Sequence, residues 1–141
     1  MSEAFGGAAN ASALSSYGFD GSAPAKPILI SASVGTTQTA ACWVVVTPNG
    51  RYAYVTNTGS GTISSYAVQP RSGKLALAQG VAATAGAGPI DAAISADGRK
   101  LYVLNAGSHT IGAYAVGGDG GLAGAAGAAG LPAGANGLAA N

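Results

Sequence analysis

The stretch YVTNTGSGTISSY, Tyr54–Tyr66, is written a second time in the chain as YVLNAGSHTIGAY, Tyr102–Tyr114. The two copies lie 48 residues apart, and the match extends without a gap over Trp43–Val68 and Asp91–Val116. It keeps two turns and three apolar runs aligned, which chance similarity between Gly-rich segments would not do. A repeat of this length indicates a supersecondary unit that stacks against copies of itself.

Each copy of the repeat predicts four antiparallel strands. In the first copy the predicted strands are Trp43–Thr47, Arg51–Asn57, Thr62–Val68 and Lys74–Val81. Asn49-Gly50 lies between the first two, and Asn-Gly between apolar runs is a strong hairpin signal. Four strands in about 40–50 residues are typical of a β-propeller blade. Apolar residues on both faces of the middle strands fit a sheet that packs between two neighbours.

The predicted fold is therefore all-β, an incomplete ring of β-propeller blades. Residues 1–42 predict a partial blade with the end of its second strand and its third and fourth strands. Residues 43–88 and 89–134 predict full blades, and residues 135–141 predict the ring-closing first strand of a missing blade. The Gly/Ala-rich stretch Gly117–Gly130 is either a degraded fourth strand or a flexible segment.

Composition excludes several classes of function. Six Lys and Arg stand against five Asp and Glu, so nothing in the charge favours nucleic acid or an anionic membrane. The longest strongly apolar run, Trp43–Val46, is too short to span a bilayer. The N-terminus has no basic segment followed by an apolar one, so we expect a cytoplasmic chain, although a longer parent could be exported. One cysteine, Cys42, and one histidine, His109, predict no disulfide and no metal site.

The residues YVTN, Tyr54–Asn57, preceded by PNGR and followed by GSGTI, resemble the YVTN repeat of the lactonase-type seven-bladed β-propellers. That family includes the 6-phosphogluconolactonase-like and cycloisomerase-like proteins. The segments SEAFGG and GLPAGANGLAA are also similar to the C-terminal part of its longer bacterial members. The resemblance implies the C-terminal part of a lactone hydrolase without an organic cofactor, inactive as an isolated fragment. It leaves open a non-catalytic YVTN scaffold or binding protein, or a gene remnant without activity.

An incomplete ring has consequences for partners. The family's complete ring has about seven blades. A chain with only two full blades would leave strand edges unpaired and apolar blade faces exposed. We therefore expect self-association through these edges. A small-molecule lactone or a sugar-like compound is the expected ligand, and the scarcity of Lys and Arg argues against a phosphorylated one.

Asp91 is the first candidate catalytic residue. Apart from Glu3, it is the only carboxylate outside a predicted hairpin turn. A lactonase must activate water for attack on an ester carbonyl and then protonate the ring alkoxide. A carboxylate near the mouth of the central channel of the propeller, which we call the channel mouth, can do both. The alternative is that Asp91 accepts hydrogen bonds from backbone N–H groups of a neighbouring loop.

Three other residues are candidates at the channel mouth. His109 stands where the other repeat has Gly61 and is either a second catalytic base or an exposed turn residue in a left-handed conformation. Trp43 is either a stacking surface for the substrate or a core residue between blades. Glu3 is a further substrate-binding candidate, and Cys42 is expected to be a small buried side chain.

Overall fold

The computed structural model describes residues 1–141 and consists of three antiparallel sheets. The first sheet contains β1 (Ser2–Glu3), β2 (Ala13–Phe19) and β3 (Pro27–Gly35); the second contains β4 (Ala41–Val46), β5 (Tyr52–Asn57), β6 (Thr62–Val68) and β7 (Leu75–Thr84); the third contains β8 (Pro89–Ile94), β9 (Lys100–Asn105), β10 (Thr110–Val116) and β11 (Leu122–Ala129). Within each sheet, strands that are consecutive in the chain pair with each other, and the sheets do not close a ring. The prediction of an all-β, incomplete propeller is confirmed.

The middle strands begin and end close to the predicted positions, whereas the outer and inner strands are longer. β4 begins at Ala41, because Ala41 pairs with Asn57 across the sheet. β7 continues to Thr84, which pairs with Thr62. The Gly/Ala-rich segment contains a regular strand, β11, so its poor side-chain content does not prevent pairing with β10. Residues 135–141 contain no strand, and their ring-closing role stays a prediction.

Two apolar cores lie between the sheets. The first core, between the first and second sheets, contains Leu14, Ala41, Ala53, Val55 and Tyr66. The second core, between the second and third sheets, contains Tyr54, Ile63, Ala92, Leu101, Val103 and Tyr114. Consecutive residues of β5 therefore point into different cores, as period-two alternation requires of a strand buried on both faces.

One tyrosine in each full sheet joins that sheet to the sheet before it. Tyr66 donates its hydroxyl hydrogen bond to the carbonyl of Val34 at 2.8 Å, and Tyr114 donates to the carbonyl of Thr84 at 3.0 Å. Both acceptors lie at the end of the preceding outermost strand. Burial raises the pKa of both phenols. The structure contains no helix that is long and apolar enough to cross a membrane.

Candidate functional site

The innermost strands of the two full sheets, β4 and β8, lie side by side, and β1, which corresponds to the second strand of a full sheet, lies next to β4. We call the end of the sheets where β4 and β8 begin the rim, and the opposite end the base. At the rim the Ser2 hydroxyl donates to the carbonyl of Cys42, and the Cys42 thiol lies 3.4 Å from the carbonyl oxygen of Ile90. These contacts bring together the strand ends that carry three of the four predicted site residues.

The loops that lead into β4 and β8 are held by the neighbouring turns. The Thr58 N–H donates to the carbonyl of Ala40, and the Ala106 N–H donates to the carbonyl of Gly88, both at 2.9 Å. The two bonds occupy equivalent positions of the repeat. Side chains at the start of β4 and β8 are thus presented by loops with fixed backbone positions.

Asp91 lies on β8 beside a β-bulge. The register between β8 and β9 shifts between Pro89 and Asp91, so Ile90 is the extra residue. Bulges change the direction of side chains and are common next to active sites. Asp91 is only 6% exposed, and its Oδ1 accepts a hydrogen bond from the adjacent Ala92 N–H at 2.7 Å. The Oδ2 atom makes no hydrogen bond within the protein, so this oxygen is free to bind a water or a ligand.

Trp43 occupies on β4 the position that Asp91 occupies on β8. The β4–β5 register also shifts there, between Ala41 and Val44, and the Trp43 N–H donates to the Thr56 hydroxyl at 3.0 Å. The indole is 49% exposed, so the core alternative does not describe its position. Cys42 is exposed as well, against the expectation of a buried side chain.

Glu3 is engaged within its own sheet. Its carboxylate accepts hydrogen bonds from the hydroxyls of Ser15 and Ser33, the latter at 2.6 Å. These two hydroxyls, helped by the nearby N-terminal ammonium group, hold the pKa of Glu3 below its ordinary value. Glu3 pairs with Ala13 as Asn57 pairs with Thr62, so it occupies a position that an asparagine holds in the full sheets.

His109 lies in the turn after β9 with a φ of 52°, close to the 64° of the equivalent Gly61. Its backbone carbonyl accepts a hydrogen bond from the Leu131 N–H at 3.1 Å, and its imidazole makes no hydrogen bond. The side chain is exposed and is not joined to Asp91. This geometry is that of a left-handed turn residue.

Two buried asparagines at the rim were not among the predicted site residues. Asn57 and Asn105 are 0% and 2% exposed, and their Nδ2 atoms donate to the hydroxyls of Thr62 and Thr110. Neither Oδ1 atom has a hydrogen-bond partner in the protein. Their recurrence at the ends of equivalent strands was the available signal, but it indicated only a structural task at the turn.

Charged side chains are divided between the two ends of the sheets. All six cations lie in or next to base-end turns: Lys26, Arg51, Arg71, Lys74, Arg99 and Lys100. Three of the five carboxylates lie in turns at the base as well, and Asp91 and Glu3 are the two at the rim. The part of the rim that this chain builds therefore has no Arg or Lys for a phosphate group.

No group of three or more His, Cys, Asp or Glu side chains lies close enough together to hold a metal ion. The chemistry that the described side chains offer is that of a buried carboxylate on β8 and an exposed indole on the neighbouring strand β4. A carboxylate can remove a proton from water, and an aromatic face can stack against a sugar-like ring.

Antiparallel sheets arranged with their first strands innermost and with equivalent rims define an incomplete β-propeller. Residues 22–134 match the model of the lactonase family of seven-bladed β-propellers, and the chain belongs to that family. No curated protein matches the chain in sequence.

Several solved structures have similar folds. The periplasmic gluconolactonase PpgL of Pseudomonas aeruginosa is 20% identical, with a TM-score of 0.66, over 84% of this chain and 34% of that one. A protein from Lactobacillus plantarum is 23% identical, with a TM-score of 0.66, over 80% of this chain and 35% of that one. A putative 6-phosphogluconolactonase from Bacteroides uniformis is 23% identical, with a TM-score of 0.59, over 82% and 33%. The chain thus spans about a third of each of these structures, and the likeness shows the fold.

Proposed function

We propose that this chain forms the C-terminal part of a lactone-hydrolysing propeller. In this proposal Asp91 is the catalytic base, the group that accepts a proton, at the mouth of the central channel. The observation that carries the proposal is the position of Asp91, a buried carboxylate beside a bulge on an innermost strand, with Oδ2 free of protein hydrogen bonds. Membership in the lactonase family supports the reaction class. The rest of the channel wall would come from blades outside this chain.

The proposed chemistry is the hydrolysis of a cyclic ester. Asp91 removes a proton from a water as that water attacks the lactone carbonyl, the ring C–O bond breaks, and the proton passes to the departing alkoxide. Trp43, on the neighbouring strand, supplies an apolar surface for the ring of the substrate.

The charge distribution supports an uncharged lactone as the substrate. Asp91 and Glu3 are the carboxylates of this rim, and every Lys and Arg lies toward the base. A phosphorylated lactone would meet repulsion here unless other blades contributed Arg or Lys residues. We therefore rank gluconolactone above 6-phosphogluconolactone as the substrate.

A binding function without catalysis is the second candidate. It is favoured by the lack of any titratable side chain hydrogen-bonded to Asp91, since Glu3 is occupied by serines and the His109 imidazole is exposed. A non-catalytic propeller would bind the lactone and release it unchanged.

Release of acid from gluconolactone and 6-phosphogluconolactone, followed in a pH-stat, tests the proposal. We expect this chain alone to hydrolyse neither faster than buffer, because most of the channel is absent. A longer chain that also contains the remaining blades should turn over the uncharged lactone. In that chain Asp91→Asn should lower kcat by roughly 10²–10⁴-fold.

Asp97→Asn is the matched control, because Asp97 lies in a turn at the base. Unchanged kcat in the longer Asp91→Asn protein would contradict the role of Asp91. Turnover by the chain of 141 residues alone would contradict the need for further blades. Lactone binding without turnover in the longer chain would favour the scaffold.

A further inference from the structure

The β-bulge that carries Asp91 is held by side chains of the second sheet. The Thr58 hydroxyl donates a hydrogen bond to the carbonyl of Pro89 at 2.8 Å. The Cys42 thiol, a weak donor, lies 3.4 Å from the carbonyl oxygen of Ile90. Both of the carbonyl groups that precede Asp91 in the chain therefore have a partner on the neighbouring sheet.

The pairing of β8 with β9 explains why the first of these carbonyls points towards the second sheet. The Ala106 N–H donates to the carbonyl of Gly88, which marks Pro89 and Asn105 as a pair that exchanges no hydrogen bonds. The Pro89 carbonyl consequently points away from β9. The following residue, Ile90, is the extra residue of the bulge. β4 and the turn after β5 lie beside β8, and they supply the two donors.

The equivalent bulge in the second sheet is fixed in part by its own sheet. There the Trp43 N–H donates to the hydroxyl of Thr56, which belongs to β5. The equivalent of Thr56 in the third sheet is Leu104, whose side chain has no hydrogen-bonding atom. The bulge at Asp91 thus lacks the support that Thr56 gives to the bulge at Trp43, and the side-chain bonds to its carbonyls come from the second sheet.

Thr58 is itself anchored, so its hydroxyl has a fixed position. Its N–H donates to the Ala40 carbonyl at 2.9 Å, and the Gly59 N–H donates to the Thr39 carbonyl at 3.2 Å. A Cβ added at Gly59 would lie 2.8 Å from the Thr39 side chain, so this turn packs closely against the loop before β4. The position of Pro89 is therefore tied to the backbone that leads into β4.

Neither donor is a residue that the repeat requires. The equivalents of Thr58 and Cys42 in the third sheet are Ala106 and Ile90, and neither of those side chains can donate a hydrogen bond. Cys42 also directly precedes Trp43 in the chain. The contact between Cys42 and Ile90 thus joins the residue before the indole to the residue before the carboxylate.

We propose that Thr58 and Cys42 are positioning residues, which fix the Asp91 carboxylate relative to the Trp43 indole. They act through Asp91 and not on the substrate. By holding the two carbonyl groups before Asp91, they keep its Oδ2 directed at the water that attacks the lactone, and small misplacements of a catalytic group are costly in rate. The inference rests on the proposed function for its chemistry, whereas the positioning can be measured in this chain without any activity.

Nuclear magnetic resonance tests the positioning in the chain of 141 residues. In protein labelled with carbon-13 aspartate, the carboxylate signal of Asp91 is identified by its loss in Asp91→Asn. Thr58→Val replaces the hydroxyl by a methyl group of similar size and should move this signal by more than its linewidth. Thr58→Ser keeps the donor and should leave the signal near its wild-type position. Thr47→Val is the matched control, because it removes a threonine hydroxyl at the base of the same sheet.

Cys42→Ala is a second and milder variant, because Cys42 is exposed and a thiol is a weak donor. It should move the Asp91 signal less than Thr58→Val does. Cys42→Ser keeps a donor and should move the signal less than Cys42→Ala. Should Thr58→Val fail to fold, the two Cys42 variants and Thr58→Ser still decide the question.

Kinetics test the consequence in a longer chain that also contains the remaining blades. Thr58→Val should lower kcat for the uncharged lactone about tenfold, within the range that one lost hydrogen bond provides. KM should stay unchanged, because the bond between Thr56 and Trp43 remains. Thr58→Ser should restore kcat.

An Asp91 signal that Thr58→Val leaves in place would overturn the proposal. So would a Thr58→Ser variant that behaves like Thr58→Val, or an equal shift in Thr47→Val. A raised KM with unchanged kcat would assign Thr58 to substrate binding and would also overturn it. If the wild-type longer chain did not hydrolyse the lactone, the proposed function would be contradicted, and the Asp91 signal would still decide the positioning.

Discussion

The second and third sheets share a backbone pattern but differ at the positions where chemistry could occur. Both place a bulge at the start of the innermost strand, and both have a left-handed residue in the turn after the second strand. At the bulge one sheet has Trp43 and the other has Asp91. In the turn one has Gly61 and the other has His109. The two sheets therefore share the same packing and the same backbone geometry in their turns, whereas their side chains at the rim differ.

This difference separates two kinds of residue. A residue repeated at equivalent positions, such as Tyr66 and Tyr114, performs a task that each sheet needs, here a hydrogen bond to the preceding sheet. A residue type that occurs at a given repeat position in only one of the two sheets does not perform a task that every sheet needs. Asp91 and Trp43 are therefore better candidates for a function of this particular chain than the repeated Asn57 and Asn105.

The largest expected effect comes from the tyrosines that join neighbouring sheets. Tyr66→Ala should lower the free energy of unfolding by about 3–5 kcal/mol, because it leaves a cavity in the first core and an unpaired carbonyl at Val34. Tyr114→Ala should cost somewhat less, since Tyr114 is 7% exposed and Tyr66 is 0% exposed. Urea unfolding followed by tryptophan fluorescence measures both.

Tyrosine-to-phenylalanine variants serve as controls for the ring. Tyr66→Phe should lose only about 1 kcal/mol, the contribution of the hydroxyl. A larger loss in Tyr114→Ala than in Tyr66→Ala would contradict the ranking by burial.

The repeat made the architecture predictable, because each local signal agreed with the others. Alternation placed Tyr54 and Val55 on opposite faces, and Asn49-Gly50 marked the hairpin. The same reasoning failed for Cys42, whose type indicated burial but which is exposed. Trp43 is 49% exposed, which excludes its core alternative, and its stacking role stays a prediction.

The hydrogen-bond partners of the candidate site residues were harder to predict from the sequence than the strands were. Glu3 was assigned to the rim, yet its bonds to Ser15 and Ser33 depend on the pairing of three strands, which spacing alone does not specify. The bulge beside Asp91 follows Pro89, which marks the start of the strand but does not specify that Ile90 is an extra residue. Long-range register therefore limited the prediction of the site.

The next effect concerns the left-handed turn position. Gly61→Ala should destabilise the chain by about 1 kcal/mol, because φ is 64° and the new Cβ makes only an ordinary contact with the Gly86 carbonyl oxygen at 3.5 Å, leaving conformational strain as the cost. His109→Gly should stabilise by about 0.5–1 kcal/mol, as relief of the same strain exceeds the entropy of glycine. Thermal unfolding of both variants measures the difference between the two turns.

His109→Asn is the matched control, because asparagine tolerates the left-handed region about as well as histidine. It should leave stability nearly unchanged. If His109→Gly destabilised the protein, the imidazole would have a stabilising partner and would not be a simple turn residue.

The smallest expected effect compares the two hairpin turns at the base. Asn49 and Asp97 occupy equivalent positions, and each side-chain Oδ1 accepts a hydrogen bond from a hydroxyl, that of Thr47 at 2.7 Å or Ser95 at 2.6 Å. Each also accepts one from the N–H two residues later, at 3.0 Å. The Ser95 hydroxyl, followed by the backbone N–H, holds the pKa of Asp97 below its ordinary value of 3.8, whereas asparagine does not titrate.

Because the pKa of Asp97 is lower in the folded chain than in the unfolded one, its contribution to stability is complete above about pH 4 and is lost as the pH falls further. Asp97→Asn should therefore flatten the acid limb of the stability profile, and Asn49→Asp should steepen it. Urea midpoints measured across that pH range compare the two variants with wild type. Exposure of the turn keeps both changes small. An acid limb unaffected by Asp97→Asn would show that the two turns are equivalent in energy as well as in geometry.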